Sequence, residues 1–299
     1  MEPERAVILQ EIADAKDDPS GVADDLLAAG LFAGHRLATP AIGEPADVER
    51  LTHAQVLSFR ERHWTSERGM IVIAGNLDHV DRDLLWELLL RIPNRPAPPP
   101  PPALPPFTRR VEVEERDSDV VHLRLAYAVR GFDPRRAKDR AVAHVFSEIF
   151  GGPPGSRLFE EVREQRSLCY EIDGYVWGYR DATFLSVDCS LRPSDVVEAY
   201  ERVEGIVAAL SEHGPTGEEA ERARAYAAGA TALTFDSVAG RAEHAIELIM
   251  DTDDEAVEPE LYLDAVESVT RKEVADLAAR IAPSPCVACV GAVTPEAFE

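Results

Sequence analysis

The sequence predicts an α+β fold made of one domain present twice in tandem, each copy an antiparallel-rich mixed sheet packed on helices, with the first copy incomplete. Three observations carry this prediction. A proline-rich run divides the 299 residues, a single apolar strand ahead of that run has no partner, and a pattern of residues returns at an offset of about 217.

Ahead of the proline run, apolar spacing predicts amphipathic helices over residues 4–15, 21–31, 53–63 and 82–91, and an apolar strand over 70–74, MIVIA. That strand needs neighbours, because its amides and carbonyls require partners and so apolar a strand belongs inside a sheet. Residues 1–92 offer it none. The run PNRPAPPPPPALPP cannot be helix or central strand, since proline lacks an amide hydrogen and fixes φ, so residues 93–107 read as an extended linker. Beyond it, strands are expected over 110–115, 120–129, 170–178 and 183–191, and a further one in PCVACVGAV near the end. Helices are expected over 138–150, 158–166, 196–211, 217–234, 239–250 and 260–282. Residues 108–299 therefore form a complete α+β domain.

The repeat explains the lone strand. Val48-Glu49-Arg50-Leu51-Thr52 followed by Val56 matches Val266-Glu267-Ser268-Val269-Thr270 followed by Val274, and each passes through a helix to a strand ending in Ala74-Gly75-Asn76 or Val290-Gly291-Ala292. Glu4-Arg5 likewise matches Glu221-Arg222. If the second copy starts near Arg110, the first would start about 107 residues ahead of Met1. Residues 1–92 are then the later part of a first domain.

Charge and composition narrow the partners. Against 31 Lys and Arg stand 55 Asp and Glu, and the formal charge of −24 repels nucleic-acid backbones and anionic lipid surfaces. No apolar stretch is long enough to span a bilayer, and MEPER opens no export signal, so a soluble, cytoplasmic chain is expected with neither nucleic acid nor membrane as partner. The four cysteines are too few for a disulfide framework. Cys286 and Cys289 form a C-x-x-C, but on a strand such a pair points to opposite faces, so both read as small buried apolar residues.

The run ERAVILQEI, then DDPSG, then FAGHRLATPAIG, then the Leu51-Thr52 helix and IVIAGN, resembles the M16 peptidase family, which includes insulinase, pitrilysin and the mitochondrial processing peptidase. GGPPGSRLFEEVREQRSLCY looks like the matching segment of that family's second, inactive copy. The resemblance spans nearly the whole chain and is closest in layout to short two-domain subunits that pair as clamshells around a chamber. It implies a peptide substrate and a homo- or heterodimer with another M16 subunit.

In that family, Zn2+ is held by two histidines of an inverted H-x-x-E-H motif and a later glutamate, while the motif's own glutamate is general base on the zinc-bound water. Three protein ligands leave one position open for that water, whose pKa the metal lowers. The resemblance assigns Glu11 as the third zinc ligand and Glu4, two helical turns earlier on the same face, as a supporting acidic residue. From the residues alone, both are equally solvated carboxylates on an amphipathic helix. No pair among the eight histidines forms an H-x-x-E-H. The general base and both histidine ligands are therefore absent, and this chain alone is expected neither to hold zinc stably nor to cut a peptide. His144 and Glu148 fall one turn apart on a predicted helix, but in the copy that matches the zinc-free domain, where Ala228 stands opposite Glu11.

Arg163 and Tyr170 match an arginine and a tyrosine that in peptide-processing members hold the substrate backbone across the chamber. A guanidinium fork and a phenol both donate to peptide carbonyls. Without the resemblance, the same residues read as a surface salt bridge and a half-buried tyrosine. Gly151 and Gly152 resemble the family's flexible loop at the chamber entrance, from which Pro153 and Pro154 depart. Two readings follow: an M16 zinc peptidase lacking its catalytic motif here, or a noncatalytic substrate-binding or structural subunit working beside an active one.

Overall fold

The protein is described by a computed structural model over residues 1–133, 135–179, 182–251 and 259–298. Its centre is one mixed sheet of β1 (Val111–Glu115), β2 (Val121–Ala128), β3 (Cys169–Tyr179), β4 (Ala182–Leu191) and β5 (Cys286–Gly291), in the order β1-β5-β2-β4-β3. Only β1 and β5 run parallel, in register Val111↔Val287 to Glu115↔Gly291, and the other pairings are antiparallel. The α+β class and the antiparallel-rich sheet hold.

Alternation along the strands decides what packs where. Leu123, Leu125 and Tyr127 on β2, with Val187 on β4 and Val287 and Cys289 on β5, face a core filled by α6 (Ala137–Phe150), α7 (Val196–His213) and α8 (Gly217–Phe235). Ala126, Cys286 and Ala288 face the other way, where α2 (Pro19–Leu31) lays Leu27 and Leu31 on them and Phe32 and Phe107 close over Phe184. The two C-x-x-C thiols are thus buried on opposite faces. Gly30 permits this docking, because a Cβ there would stand 3.0 Å from the Cys286 sulfur.

Three expectations need correction. The helix expected over 158–166 is a π-helical turn, Phe159–Glu164, in which the Gln165 amide donates to the Glu160 carbonyl at 3.0 Å. The helix expected over 260–282 is two, α10 (Pro259–Glu267) and α11 (Arg271–Ala278), after α9 (Val238–Asp251). Thr270 starts α11 with a capping box, its hydroxyl accepting from the Glu273 amide while the Glu273 carboxylate accepts from the Thr270 amide. Residues 70–74 join no sheet. Among the described residues their amides donate to no backbone carbonyl, and Met70, Ile71 and Ile73 stand 39, 45 and 40% exposed.

The N-terminal part is otherwise helical: α1 (Glu2–Asp17), α2, α3 (Pro45–Arg50), α4 (His53–His63) and α5 (Arg82–Leu90). Thr52 and Gln55 form the same capping box before α4 that Thr270 and Glu273 form before α11. Gly75, just after residues 70–74, and Gly291, the last residue of β5, both take positive φ, +127° and +146°. No helix of the described residues is long and apolar enough to cross a membrane.

Candidate functional site

Glu4 and Glu11 lie on α1, both exposed, with Ile12 as the helix's buried anchor. Among the described residues neither carboxylate has a hydrogen bond or ion pair. Their neighbour Arg5 is the engaged member of the segment: its guanidinium donates to the carbonyls of Val48, Glu49 (2.7 Å) and Leu51 (2.8 Å). These carbonyls lie at the end of α3, where its dipole is negative, and although Val48 also accepts from the Leu51 amide at 3.3 Å, a cation completes the set. Zinc would need a donor set that is not there. Among the described residues no three His, Cys, Asp or Glu side chains converge, so those residues do not by themselves form a zinc donor set.

Arg163 and Tyr170 flank the turn that leads into β3. After the π-helical turn the chain reverses sharply: Ser167 takes φ +55°, its amide donates to the Arg163 carbonyl at 2.9 Å, and the Leu168 amide donates to the Val162 carbonyl at 3.1 Å. Register then slips where β3 begins, because Cys169 pairs with Leu191 while Glu171 pairs with Ser190. Tyr170 is the extra residue of this bulge, and bulges re-aim side chains. Cys169 and Ile172 stay in the core while Tyr170 is 65% exposed. The Arg163 guanidinium lies 4.9 Å over the Phe159 ring and is exposed. The surface ion pair that the bland reading assigned to this stretch belongs to Arg166, whose guanidinium holds Glu198 at 3.0 Å. Below Tyr170, the Cys169 thiol is drawn under its ordinary range, first by its hydrogen bond with Cys189 and then by the charge of Arg163.

The structure therefore brings Arg163 and Tyr170 to neighbouring elements but joins neither to Glu4 or Glu11. Gly151 packs tightly on β3. Its carbonyl accepts from the Gly174 amide at 3.0 Å, and a Cβ on it would stand 2.5 Å from that nitrogen, so glycine there serves close packing on the outer edge of β3. Beside this contact Ser147 accepts from the Val176 amide at 3.0 Å.

Two further features stand apart from these residues, the second without an obvious sequence signal. His144 and Glu148, 3.6 Å apart, line a cavity of 660 Å³ between α6 and the edge of β3, together with Arg140, Tyr175, Trp177 and Tyr262. One oxygen of Glu148 is buried there without a partner among the described residues. The second feature is Arg124 on β2, 6% exposed, which donates to Asp24 at 2.5 Å and to the Ser20 hydroxyl at 2.8 Å, with Asp188 at 3.6 Å and Tyr175 donating to Asp188 at 3.0 Å. Burial raises the Asp188 carboxyl above its ordinary range, against the pull of Arg124. Arginine inside a strand reads as a surface residue, and only the docking of α2 reveals its partners.

Comparison with known proteins gives a consistent answer. The family described as the peptidase M16 inactive domain matches residues 50–226, more than half of the chain. A protein of Mycobacterium leprae named an uncharacterized zinc protease is 30% identical over 247 residues, which cover 79% of this chain and 54% of that one. A zinc protease of the same description from Streptomyces coelicolor is 29% identical over 246 residues, 79% of this chain and 52% of the relative. The chain thus spans about half the length of the relatives it matches. Among solved structures, the peptidase M16 inactive domain from Pseudomonas fluorescens superposes with a TM-score of 0.81 at 19% identity, covering 98% of this chain and 70% of that one. A chain of Complex III2 from Candida albicans gives 0.79 at 15% identity, covering 98% and 71%. At these identities the structures speak for the fold alone. With a family match over most of its length and that family's fold throughout, the chain belongs to the M16 peptidase family.

Proposed function

We propose that these 299 residues bind extended peptide through Arg163 and Tyr170 and do not hydrolyse it by themselves. The observation that carries this reading is the bulge that holds Tyr170 out of the core at the same end of the sheet as an exposed guanidinium free of ion pairs among the described residues. An exposed phenol and a guanidinium fork donate to backbone carbonyls whatever the substrate sequence. The chain works as a subunit of a homo- or heterodimer with another M16 chain, whose active copy supplies the chemistry. Four free, buried thiols suit a cytoplasmic setting.

The domain organisation belongs to the same reading: residues 1–92 are the later part of a first M16 domain, 93–107 the linker and 108–299 the inactive copy. Matching capping boxes at Thr52 and Thr270, and matching positive-φ glycines at 75 and 291, support tandem duplication. A second reading, a longer zinc peptidase in which Glu11 is the third ligand, is favoured by the relatives' names and greater length.

The test uses the purified chain and a labelled, cationic, unstructured peptide, cationic because the chain carries a charge of −24. Anisotropy should report binding that weakens about tenfold in Arg163→Ala and in Tyr170→Ala, a loss of about 1.4 kcal/mol each. Zinc-dependent cleavage by the chain alone would overturn the noncatalytic part, and binding indifferent to both variants would overturn the site.

A further inference from the structure

We propose that Cys169 and Cys189 are a peroxide-sensitive dithiol, which closes to a disulfide and thereby withdraws Tyr170 from peptide. The control of peptide rests on the function proposed above, whereas the disulfide itself does not.

The bulge at the start of β3 puts the two thiols together. Counting back from Ile172, which faces the core, strict alternation would turn residue 170 inward and Cys169 to the opposite face. The extra residue reverses this: Tyr170 is exposed, and Cys169 returns to the core on the face that Cys189 of β4 also fills. Cys169 pairs with Leu191 and Ile172 with Cys189, so the two cysteines are diagonal neighbours on adjacent strands. Diagonal Cα atoms stand about 7–8 Å apart. Thiols at that spacing reach each other for a hydrogen bond, and a disulfide, whose Cα atoms are mostly about 5.5–6 Å apart, forms once one strand gives by about 1–2 Å. A bulge supplies that slack, because its extra residue is left out of the ladder.

Neither of the other thiols competes. Leu123 of β2 pairs with both Cys189 and Cys289, which holds those two cysteines two strand spacings, about 9–10 Å, apart. Cys286 lies on the opposite face of the sheet.

The two thiols take different roles. Cys189 donates its hydrogen to the Cys169 sulfur, which draws Cys169 below its ordinary range, and the charge of Arg163 draws it further against the cost of burial. The same hydrogen bond, together with burial, pushes Cys189 well above its range. Cys169, 8% exposed against 3% for Cys189, is therefore the thiolate that meets hydrogen peroxide. Its sulfur attacks one peroxide oxygen, the O–O bond breaks, the departing hydroxide takes a proton as water, and Cys169 becomes a sulfenic acid. The Cys189 sulfur then attacks the Cys169 sulfur, the S–O bond breaks, and the departing hydroxide takes the Cys189 proton. Two thiols have given two electrons to one peroxide, leaving one disulfide and two waters. Because the new bond draws Cys169 towards β4, it consumes the bulge that holds Tyr170 out.

The test treats the reduced full chain with hydrogen peroxide, caps the remaining thiols with a maleimide and digests with trypsin, which separates residues 167–180 from 181–202. A linked pair of these two peptides should appear and be lost on treatment with dithiothreitol, while Cys286 and Cys289 are recovered as maleimide adducts. In Cys189→Ala, a sulfenic acid trapped by dimedone should accumulate on Cys169 instead. The oxidised chain should bind the labelled cationic peptide about tenfold more weakly than the reduced chain, the loss expected of Tyr170→Ala, and reduction should restore it. Oxidation that leaves 167–180 and 181–202 unlinked, or links either to Cys286 or Cys289, overturns the dithiol. A 169–189 disulfide that leaves binding unchanged, where Tyr170→Ala weakens it in the reduced chain, overturns the control of Tyr170. If Tyr170→Ala has no effect, the peptide site fails and its control with it, and the linked peptides alone decide the disulfide.

Discussion

At the scale of single residues, charged side chains do the joining that apolar periodicity does not foresee. Arg157, from the turn before the π-helical segment, holds Glu219 at 2.8 and 3.0 Å, while Glu219 also accepts from the Thr216 amide as part of a capping box. These contacts, the Arg157 hydrogen bond first, lower the Glu219 carboxyl from 4.5 to about 2. A depressed carboxyl stabilises the fold above its unfolded pKa and loses that contribution as pH falls towards the folded one, so the effect fades between pH 4.5 and about 2. Discounted for partial solvent screening, Arg157→Ala should cost about 1–2 kcal/mol at neutral pH. Denaturation midpoints measured across that acid window should converge for the two proteins. A constant gap down to the lower limit would show that Arg157 acts by packing alone. Arg124 illustrates what sequence hides: its partners Asp24 and Ser20 lie 100 and 104 residues away on α2. Glu4 and Glu11, by contrast, are legible only as two carboxylates on one helical face, and both are exposed.

At the scale of elements, patterns with strong local causes were readable. Alternation located four strands of the sheet, and the C-x-x-C run behaved as a strand because its two thiols fill opposite faces. The failures have identifiable causes. The break between α10 and α11 was written in Thr270-Arg271-Lys272-Glu273, a capping box inside a run that keeps helical apolar spacing on both sides. Thr270→Ala should therefore cost about 1 kcal/mol, read from a chemical denaturation midpoint. The bulge at Tyr170 has no local signal, since it arises from the mismatch between β3 and β4. The close packing of Gly151 is hidden for a related reason: it is set by Gly174, which only pairing brings close. Gly151→Ala would put a methyl group on backbone, not on a movable side chain, and should destabilise by about 2 kcal/mol or more. If thermal melting shows that variant unchanged, the loop is a hinge after all.

At the scale of the whole molecule, the proline run marks a change in composition but not the limit of packing. The sheet has two faces, and the helices that follow the run cover only one. The other, with Ala126, Phe184, Cys286 and Ala288, is covered by Leu27, Leu31 and Phe32 from before the run and by Leu104 and Phe107 at its end. A fragment of residues 108–299 would expose that face to water, losing about 1.5–3 kcal/mol for each large side chain no longer buried. The Cys286 thiol is a built-in reporter, because burial pushes it up from its ordinary range and shields it in the intact chain. Alkylation by a small maleimide at neutral pH should label Cys286 rapidly in fragment 108–299 and slowly in the full chain, while Cys289, on the opposite face and raised by burial to about 12, stays slow in both. A fragment starting at residue 18 keeps α2 and should restore protection of Cys286. Equal labelling in all three would mean that the sheet needs no cover from the residues ahead of the run, and that the run divides two independently folding units.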